Sequence, residues 1–244
     1  SMDLSVGTDE AGIPTAMGWV ELESLTVDDL LNGVDLRMDV ALRDRSAMAE
    51  VNLRDGETVL LWSKATADVD RSSGRAALDC NGRIRWRSVL PGVRFRDLRG
   101  PLPVVGNELN GRTSFDLIVA GPACNPDVTM VGAVDLPVGV NGERVRFDVQ
   151  VDKDGDQTTM DMTSEQEGRQ LARFDASITA DLAPLLAAAL AGDEVSNPET
   201  WITAVDGSLE LLDTDVVRLA RMAGVGHPVA GTLGGRIAVR GTPM

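Results

Sequence analysis

VDLRMDVAL, residues 34–42, places Val34, Leu36, Met38, Val40 and Leu42 on one side of the chain and Asp35, Arg37 and Asp39 on the other. Only a period of two sorts these residues by polarity, the pattern of a β-strand with one dry face and one wet face. The same rhythm recurs along the chain. Ala47, Ala49, Val51 and Leu53 continue it after a turn at Arg45 and Ser46, and Phe115, Leu117 and Val119 show it in TSFDLIV. Val128, Met130, Val134 and Leu136 follow, then Val145, Phe147, Val149 and Val151, then Met160 and Met162. The connections NGE, DKDGD and EQEGR are short and polar, which suits hairpins. The expected fold is mainly β, a long antiparallel meander.

A repeat overlies the alternation. MGWVEL from Met17 resembles VGAVDL from Val131, VDLRMDVAL from Val34 resembles VRFDVQV from Val145, and KATADV from Lys64 resembles SITADL from Ser177. The spacings are 131 − 17 = 114, 145 − 34 = 111 and 177 − 64 = 113. LNGRTSFDLIVAGPACNP, residues 109–126, has a counterpart in VAGTLGGRIAVRGTP, residues 229–243, so that Gly111 answers Gly231 and Gly121 answers Gly241. Two units are expected, 14–123 and 124–244, with 1–13 as a tag and flexible lead-in. Ser1 and Met2 read as an expression scar, and the sequence is expected to be a piece of a longer protein cut at a repeat boundary.

Helix signals concentrate in the second unit. DLAPLLAAALAGDE has strong helix formers from Leu185 to Leu190 and a stop at Gly192. Asn197, Pro198 and Glu199 read as a cap and first turn for PETWITAV. DTDVVRLARMAG places Val216, Leu219, Ala220 and Ala223 on one helical face. A few short helices covering an end or edge of the sheet are therefore expected.

The chain has 244 residues and a formal net charge of −15, which argues against a partner with a phosphate backbone and leaves nucleic acid out of the expectation. No apolar run reaches the length of a membrane helix. Cys80 and Cys124 fit no metal spacing, and pairing between them depends on a Cα separation that sequence does not supply.

Asp152, Asp154 and Asp156 resemble the start of a calcium loop, but Gln157 stands where the sharp turn needs Gly, and Thr163 stands where a bidentate Glu closes the shell. A hairpin turn is the expectation. His227 is the only histidine and lacks the companions of a triad or a multi-His metal site, so it is read as a loop residue. GTLGGR has no helix after it to aim amides at a phosphate. No paired carboxylates are singled out, and Trp19, Trp62, Trp86 and Trp201 are not interleaved with basic residues as a stacking platform would be. The chain is expected to be no enzyme and to need no cofactor or metal.

What remains is the sheet face. Built from Val, Leu, Ile, Met and Ala with no tyrosine, it offers an aliphatic lining with few hydrogen-bonding handles, which suits a long acyl chain. The competing expectation is a structural β-solenoid or adhesin-type spacer that fills its own interior.

The segments VAGTLGGRIAVRGTP, LNGRTSFDLIVAGPACNPDVTMVGAVDL, SITADLAPLL and DTDVVRLARMAGVGHPVAG together resemble the repeats of the TamB branch of the AsmA-like, bridge-like lipid-transport proteins. The resemblance covers most of the chain and is strongest over 109–243. It implies a U-shaped β-taco whose concave face shields phospholipid acyl chains, in a periplasmic protein anchored in the inner membrane outside this sequence and reaching the outer membrane. It also implies an outer-membrane barrel of the TamA type as partner of the full-length protein. Strands about 4.8 Å apart would make a groove roughly 70 Å long from on the order of fifteen strands, with each sequestered methylene contributing about 0.8 kcal/mol. The expected lining is Val34, Leu36, Met38, Val40, Leu42, Val51, Phe115, Leu117, Val119, Val128, Met130, Val145, Phe147, Val149, Val151, Met160, Met162, Ile237 and Val239. Two departures stand out. Pro122 replaces the Thr expected after Gly121, and RSSGRAALDCNGRIRWRSVLPGVRFRDLRG is polar and Arg-rich where the second unit carries apolar helix formers.

Overall fold

The computed structural model describes residues 1–8, 14–27, 31–70, 77–98, 110–138, 143–180, 202–217 and 231–241. These residues are almost entirely strand. The chain divides into two compact units, Ser1–Leu109 with Ser114–Val128, and Asn110–Thr113 with Thr129–Met244.

The first unit carries β1 (Met2–Thr8), β2 (Pro14–Val27), β3 (Leu31–Arg43), β4 (Ser46–Asp55), β5 (Thr58–Asp70), β6 (Ala77–Leu78), β7 (Arg83–Arg94), α1 (Phe95–Leu98) and β8 (Arg112–Pro122). Neighbours in the sheet run β1-β2-β3-β4-β5-β7-β8, and the two-residue β6 pairs separately with β5. The second unit carries β9 (Asp127–Val138), β10 (Glu143–Asp154), β11 (Gln157–Gln166), β12 (Arg169–Ala180), β13 (Ile202–Asp215) and β14 (Thr232–Gly241), adjacent in chain order. Both units are antiparallel meanders, and the fold class is mainly β as the alternation required.

Tight hairpins set the register. Arg43 pairs with Ser46, Asp55 with Thr58, Asp154 with Gln157 and Gln166 with Arg169, each leaving two residues to turn. Asp44, Gly56, Gly155, Glu167 and Gly168 take the positive φ that such two-residue turns demand. The Asp152–Asp156 segment is thus the β10–β11 hairpin. Among the described residues no group of three His, Cys, Asp or Glu side chains is placed to hold a metal.

The buried core is small and local. Val34, Leu60 and Val93 form it, with Leu25, Leu53, Leu90 and Phe95 packed around them. It exists because the β4–β5 register slips between Leu53 and Arg54, leaving Leu60 as the extra residue of a β-bulge. A second anchor is the Cys80–Cys124 disulfide, with its Cα atoms 4.8 Å apart, which ties the turn before β7 to the turn after β8. The Ala123 amide donates to Gly82 O at 3.0 Å and the Cys124 amide to Cys80 O at 3.3 Å beside it.

Two expectations are corrected, the flexible lead-in and the helix over PETWITAV, and two further segments are placed. Residues 2–8 of the supposed lead-in form β1 on the edge beside β2. The Arg-rich segment contains β7, a strand inside the sheet, because Ile84, Trp86 and Ser88 alternate with Arg83, Arg85 and Arg87. PETWITAV is not a helix throughout. Ile202, Thr203 and Val205 are β-branched and open β13, where Val205 pairs with Ile178 and Ile202 with Ala180. In DTDVVRLARMAG, Thr214 and Asp215 still belong to β13, and Val216 and Val217 are helical. The helix expected over Leu185–Leu190, the later part of DTDVVRLARMAG, Trp201 and His227 lie outside the described residues.

Candidate functional site

Antiparallel pairing puts partner residues on the same face, so the registers can be followed across the strands as rows. In the first unit one row runs Met2, Val20, Met38, Val51, Ser63, Ser88 from β1 to β7. The next runs Leu4, Gly18, Val40, Ala49, Ala65, Trp86, and a third Val6, Ala16, Leu42, Ala47, Ala67, Ile84. Almost every member is apolar. The second and third rows each carry small residues at three of their six positions, Gly18, Ala49 and Ala65 in one and Ala16, Ala47 and Ala67 in the other.

The second unit repeats the arrangement. Val149, Met162, Phe174, Leu209 and Ile237 make one row, and Val151, Met160, Ala176, Gly207 and Val239 the next. Phe147, Ser164, Ala172, Leu211 and Gly235 make a third.

The opposite faces carry the charge. A single row of the first unit runs Asp3, Trp19, Asp39, Glu50, Lys64, Arg87. Arg87 then holds Asp116 of β8 by two bonds, Nε to Oδ1 at 3.0 Å and Nη2 to Oδ2 at 2.6 Å. That pairing lowers the pKa of Asp116 and raises that of Arg87. Glu50 accepts from Trp62 Nε1 and from Lys64 Nζ, both at 3.0 Å, and the Trp62 bond followed by the Lys64 bond holds its carboxyl below the ordinary value. The Arg37 guanidinium grips Asp39 and lies 5.8 Å from the Trp19 ring centre. In the second unit Arg173 pairs with Asp161 at 3.1 Å and Arg240 with Asp206 at 2.8 Å. Each of these pairs is exposed and contributes little to stability. Their consequence is directional, because they keep this face in water and leave the apolar face as the one to be covered.

A cavity of about 740 Å³ lies on the charged side of the first unit, where Met17, Trp19, Ala41 and Met48 are ringed by Asp3, Asp39, Arg43 and Asp68. Gly18 and Val40 of the apolar rows also reach its wall.

The expected lining residues fall as follows. Leu36, Met38, Val40, Leu42 and Val51 share the apolar face of the first unit and are half-buried. Val34 belongs to the same side by parity but has 0% exposure, sealed by Leu60, Val93 and Phe95. Phe115, Leu117 and Val119 alternate with Asp116, the Arg87 partner, and so lie on the apolar side of β8, with Val119 buried. Val128 and Met130 are half-buried on β9. Phe147, Val149, Val151, Met160 and Met162 share one face, with Val145 buried at its end. Ile237 and Val239 sit on the outermost strand, with Ile237 66% exposed.

The same rows bring in residues not named from sequence: Met2, Leu4 and Val6 from β1, Trp86 from β7, and Phe174 and Leu209 from β12 and β13. The signal for the first group was present, since MDLSV alternates as cleanly as VDLRM. Trp86 was hidden by the arginines around it.

Comparison with known proteins finds no matching family model, no matching curated protein and no matching solved structure.

Proposed function

We propose that the chain is a lipid-binding conduit segment, whose apolar strand faces curl into a groove that shields phospholipid acyl chains. The observation that carries this reading is the pair of apolar faces, which few side chains among the described residues cover. Among the described residues only nine hydrophobic side chains are buried, while Leu4, Val6, Leu22, Leu209, Ile237 and Val239 remain exposed. A surface of this kind marks a binding site. Its rows have no cluster of catalytic groups and few polar atoms, so acyl chains can slide from strand to strand without meeting one deep well. Binding without covalent chemistry follows.

The resemblance to the TamB branch of the AsmA-like proteins extends the proposal to phospholipid as cargo, to transport between inner and outer membranes, and to a barrel of the TamA type as partner of the full-length protein. A disulfide accords with an oxidising compartment such as the periplasm. The spacer reading has support only at the Val34–Leu60–Val93 end, where the first unit is filled by its own residues.

Native mass spectrometry of the purified chain with lipid extraction tests the proposal. Copurified phospholipid, lost on groove-floor substitution, is the expected result. A lipid-free protein that takes up no phospholipid from vesicles would reject the conduit in favour of the spacer.

A further inference from the structure

The apolar face of the first unit changes in depth along its strands. Nearest the Val34–Leu60–Val93 cluster it is a row of leucines, Leu22, Leu36, Leu53 and Leu61. Away from the cluster the side chains shrink on three of these four strands. β2 reads Leu22, Val20, Gly18, Ala16, β4 reads Leu53, Val51, Ala49, Ala47, and β5 reads Leu61, Ser63, Ala65, Ala67. β3, between β2 and β4, keeps Leu36, Met38, Val40 and Leu42.

β4 and β5 are neighbours, so their four alanines lie together as a floor, Ala49 opposite Ala65 and Ala47 opposite Ala67. Larger side chains flank them in the same rows, Val40 and Leu42 from β3 and Trp86 and Ile84 from β7. The Trp86 ring is fixed through Nε1, which donates to Ser63 Oγ at 2.8 Å. With strands about 4.8 Å apart, the trough measures about 14 Å between the backbones of β3 and β7. One end is shut, because Leu53 packs against the sealed cluster, in which Leu60 is 2% and Val34 0% exposed. At the other end Val69 is buried beyond Ala67, while Arg43, Asp44, Arg45 and Ser46 of the β3–β4 hairpin are exposed, so the outlet lies over that hairpin.

We infer that this trough holds one acyl chain of a lipid along β4 and β5, its terminal methyl against Leu53 and Leu61 and its ester end at the β3–β4 hairpin, and that the Leu60 cluster sets the length of chain accepted. This rests on the conduit reading and adds to it an orientation and a length limit. A floor of methyl groups between apolar walls, closed at one end and free of charged side chains, matches an unbranched aliphatic tail. From Ala47 to Leu53 the strand advances about 20 Å. A staggered carbon chain with bonds of about 1.52 Å and angles near 111° advances about 1.25 Å per carbon, so the trough takes about 16 carbons. A longer chain has to leave its extra methylenes outside the trough, where they lose the burial a bilayer gives them.

The test uses the full chain with a photoreactive aliphatic residue in place of Met38, whose cross-strand partner Val51 lies on the trough. The protein is equilibrated with phosphatidylglycerol vesicles that hold equal amounts of lipids with chains shorter and longer than about 16 carbons, then irradiated, and the adducts are identified by mass spectrometry. Chains that fit exchange bilayer for trough at little difference and should appear in their vesicle proportions. Beyond about 16 carbons the yield should fall by about two- to fourfold for each further carbon. Leu60→Ala draws the stop back by two bonds and should raise the limit by about two carbons. Ala49→Leu, outside the cluster, fills the floor between the outlet and position 38 and should lower the adducts severalfold at every length. Adducts that follow the vesicle composition throughout, or a limit that Leu60→Ala leaves in place, overturn the length limit; an undiminished yield with Ala49→Leu overturns the trough. Each of these outcomes leaves the conduit standing. A chain that gives no lipid adducts overturns the conduit reading, and the inference with it. Should Leu60→Ala fail to fold, the length profile of the otherwise unaltered chain and Ala49→Leu still decide.

Discussion

Gly111 and Gly231 hold nearly the same backbone conformation, with φ of +136° and +141°, and each stands one residue before a strand, β8 and β14. The correspondence extends to the elements. Six long strands, β2, β3, β4, β5, β7 and β8, are answered in order by β9 to β14, so the repeat is a six-strand meander. The two glycines differ in their surroundings. A Cβ on Gly111 would overlap the Asp135 carbonyl oxygen, whereas among the described residues one on Gly231 would meet only Val216 Cγ2 at 4.0 Å. Gly231→Ala is therefore expected to cost about 1–3 kcal/mol through backbone strain alone, and Gly111→Ala more than that. Urea unfolding midpoints of the two variants measure the difference, and a Gly231 variant less stable than its Gly111 counterpart would contradict it.

The Cys80–Cys124 bridge closes a loop of 44 residues, from the turn before β7 to the turn after β8. Loop closure of that length restricts the unfolded chain by about 4 kcal/mol in the chain-entropy account. Reduction, or replacement of both cysteines by alanine, should lower the thermal midpoint of the first unit's transition and leave the second unit's transition in place. Differential scanning calorimetry with and without reductant reads both. A single transition lowered as a whole would show that the units unfold together.

Glu50 gives the charged face a pH dependence. Its carboxyl pKa is lowered in the folded chain, first by the Trp62 N–H and then by Lys64, relative to an ordinary value near 4.3 in the unfolded chain. The stabilisation is therefore present in full above the unfolded value and is lost as pH falls through the lower folded value. Since the pair is largely exposed, the contribution is at most about 1 kcal/mol. Glu50→Gln should flatten that part of the stability profile below about pH 4 and change little at pH 7 beyond this amount. Chemical denaturation across pH 2–7 for both chains is the measurement, and parallel profiles would refute the link.

Much of the fold was legible because alternation states both that a segment is a strand and which side is dry. VDLRMDVAL and VRFDVQV became β3 and β10, with their apolar residues in common rows. Where the reading failed, a local signal competed with the pairing. Asn197, Pro198 and Glu199 read as a helix start, yet the β-branched residues from Ile202 on pair with β12. Other features depend on distance and were outside the reach of the sequence. The Leu60 bulge that closes off Val34 arises from a register shift between two strands, the disulfide depends on two turns meeting, and the Ser63 contact joins residues of β5 and β7 that nothing in either segment announces.

Val34 and Met38 lie on one strand and one face, four residues apart, yet they should answer differently to substitution. Val34 is closed into the Leu60–Val93–Phe95 cluster, while Met38 sits half-buried between Val20 and Val51 in the apolar row. Truncating Val34 to Ala leaves a cavity in packed protein and should cost on the order of 1–3 kcal/mol, with lipid photocrosslinking to the rest of the face unchanged. Met38→Asp puts a carboxylate where acyl chain would lie, so crosslinking from neighbouring positions should fall steeply while stability falls less than it would for a charge in the sealed cluster. Val149→Asp, beside Met162 in the second unit, should behave as Met38→Asp does. Loss of crosslinking on truncation of Val34, or its persistence with aspartate at 38 or 149, would mean that the open part of the face is not where lipid runs. The charged side supplies the control: Arg173, paired with Asp161 away from the rows, can be changed to Ala without altering the crosslinking pattern if the two faces divide their roles as the registers place them.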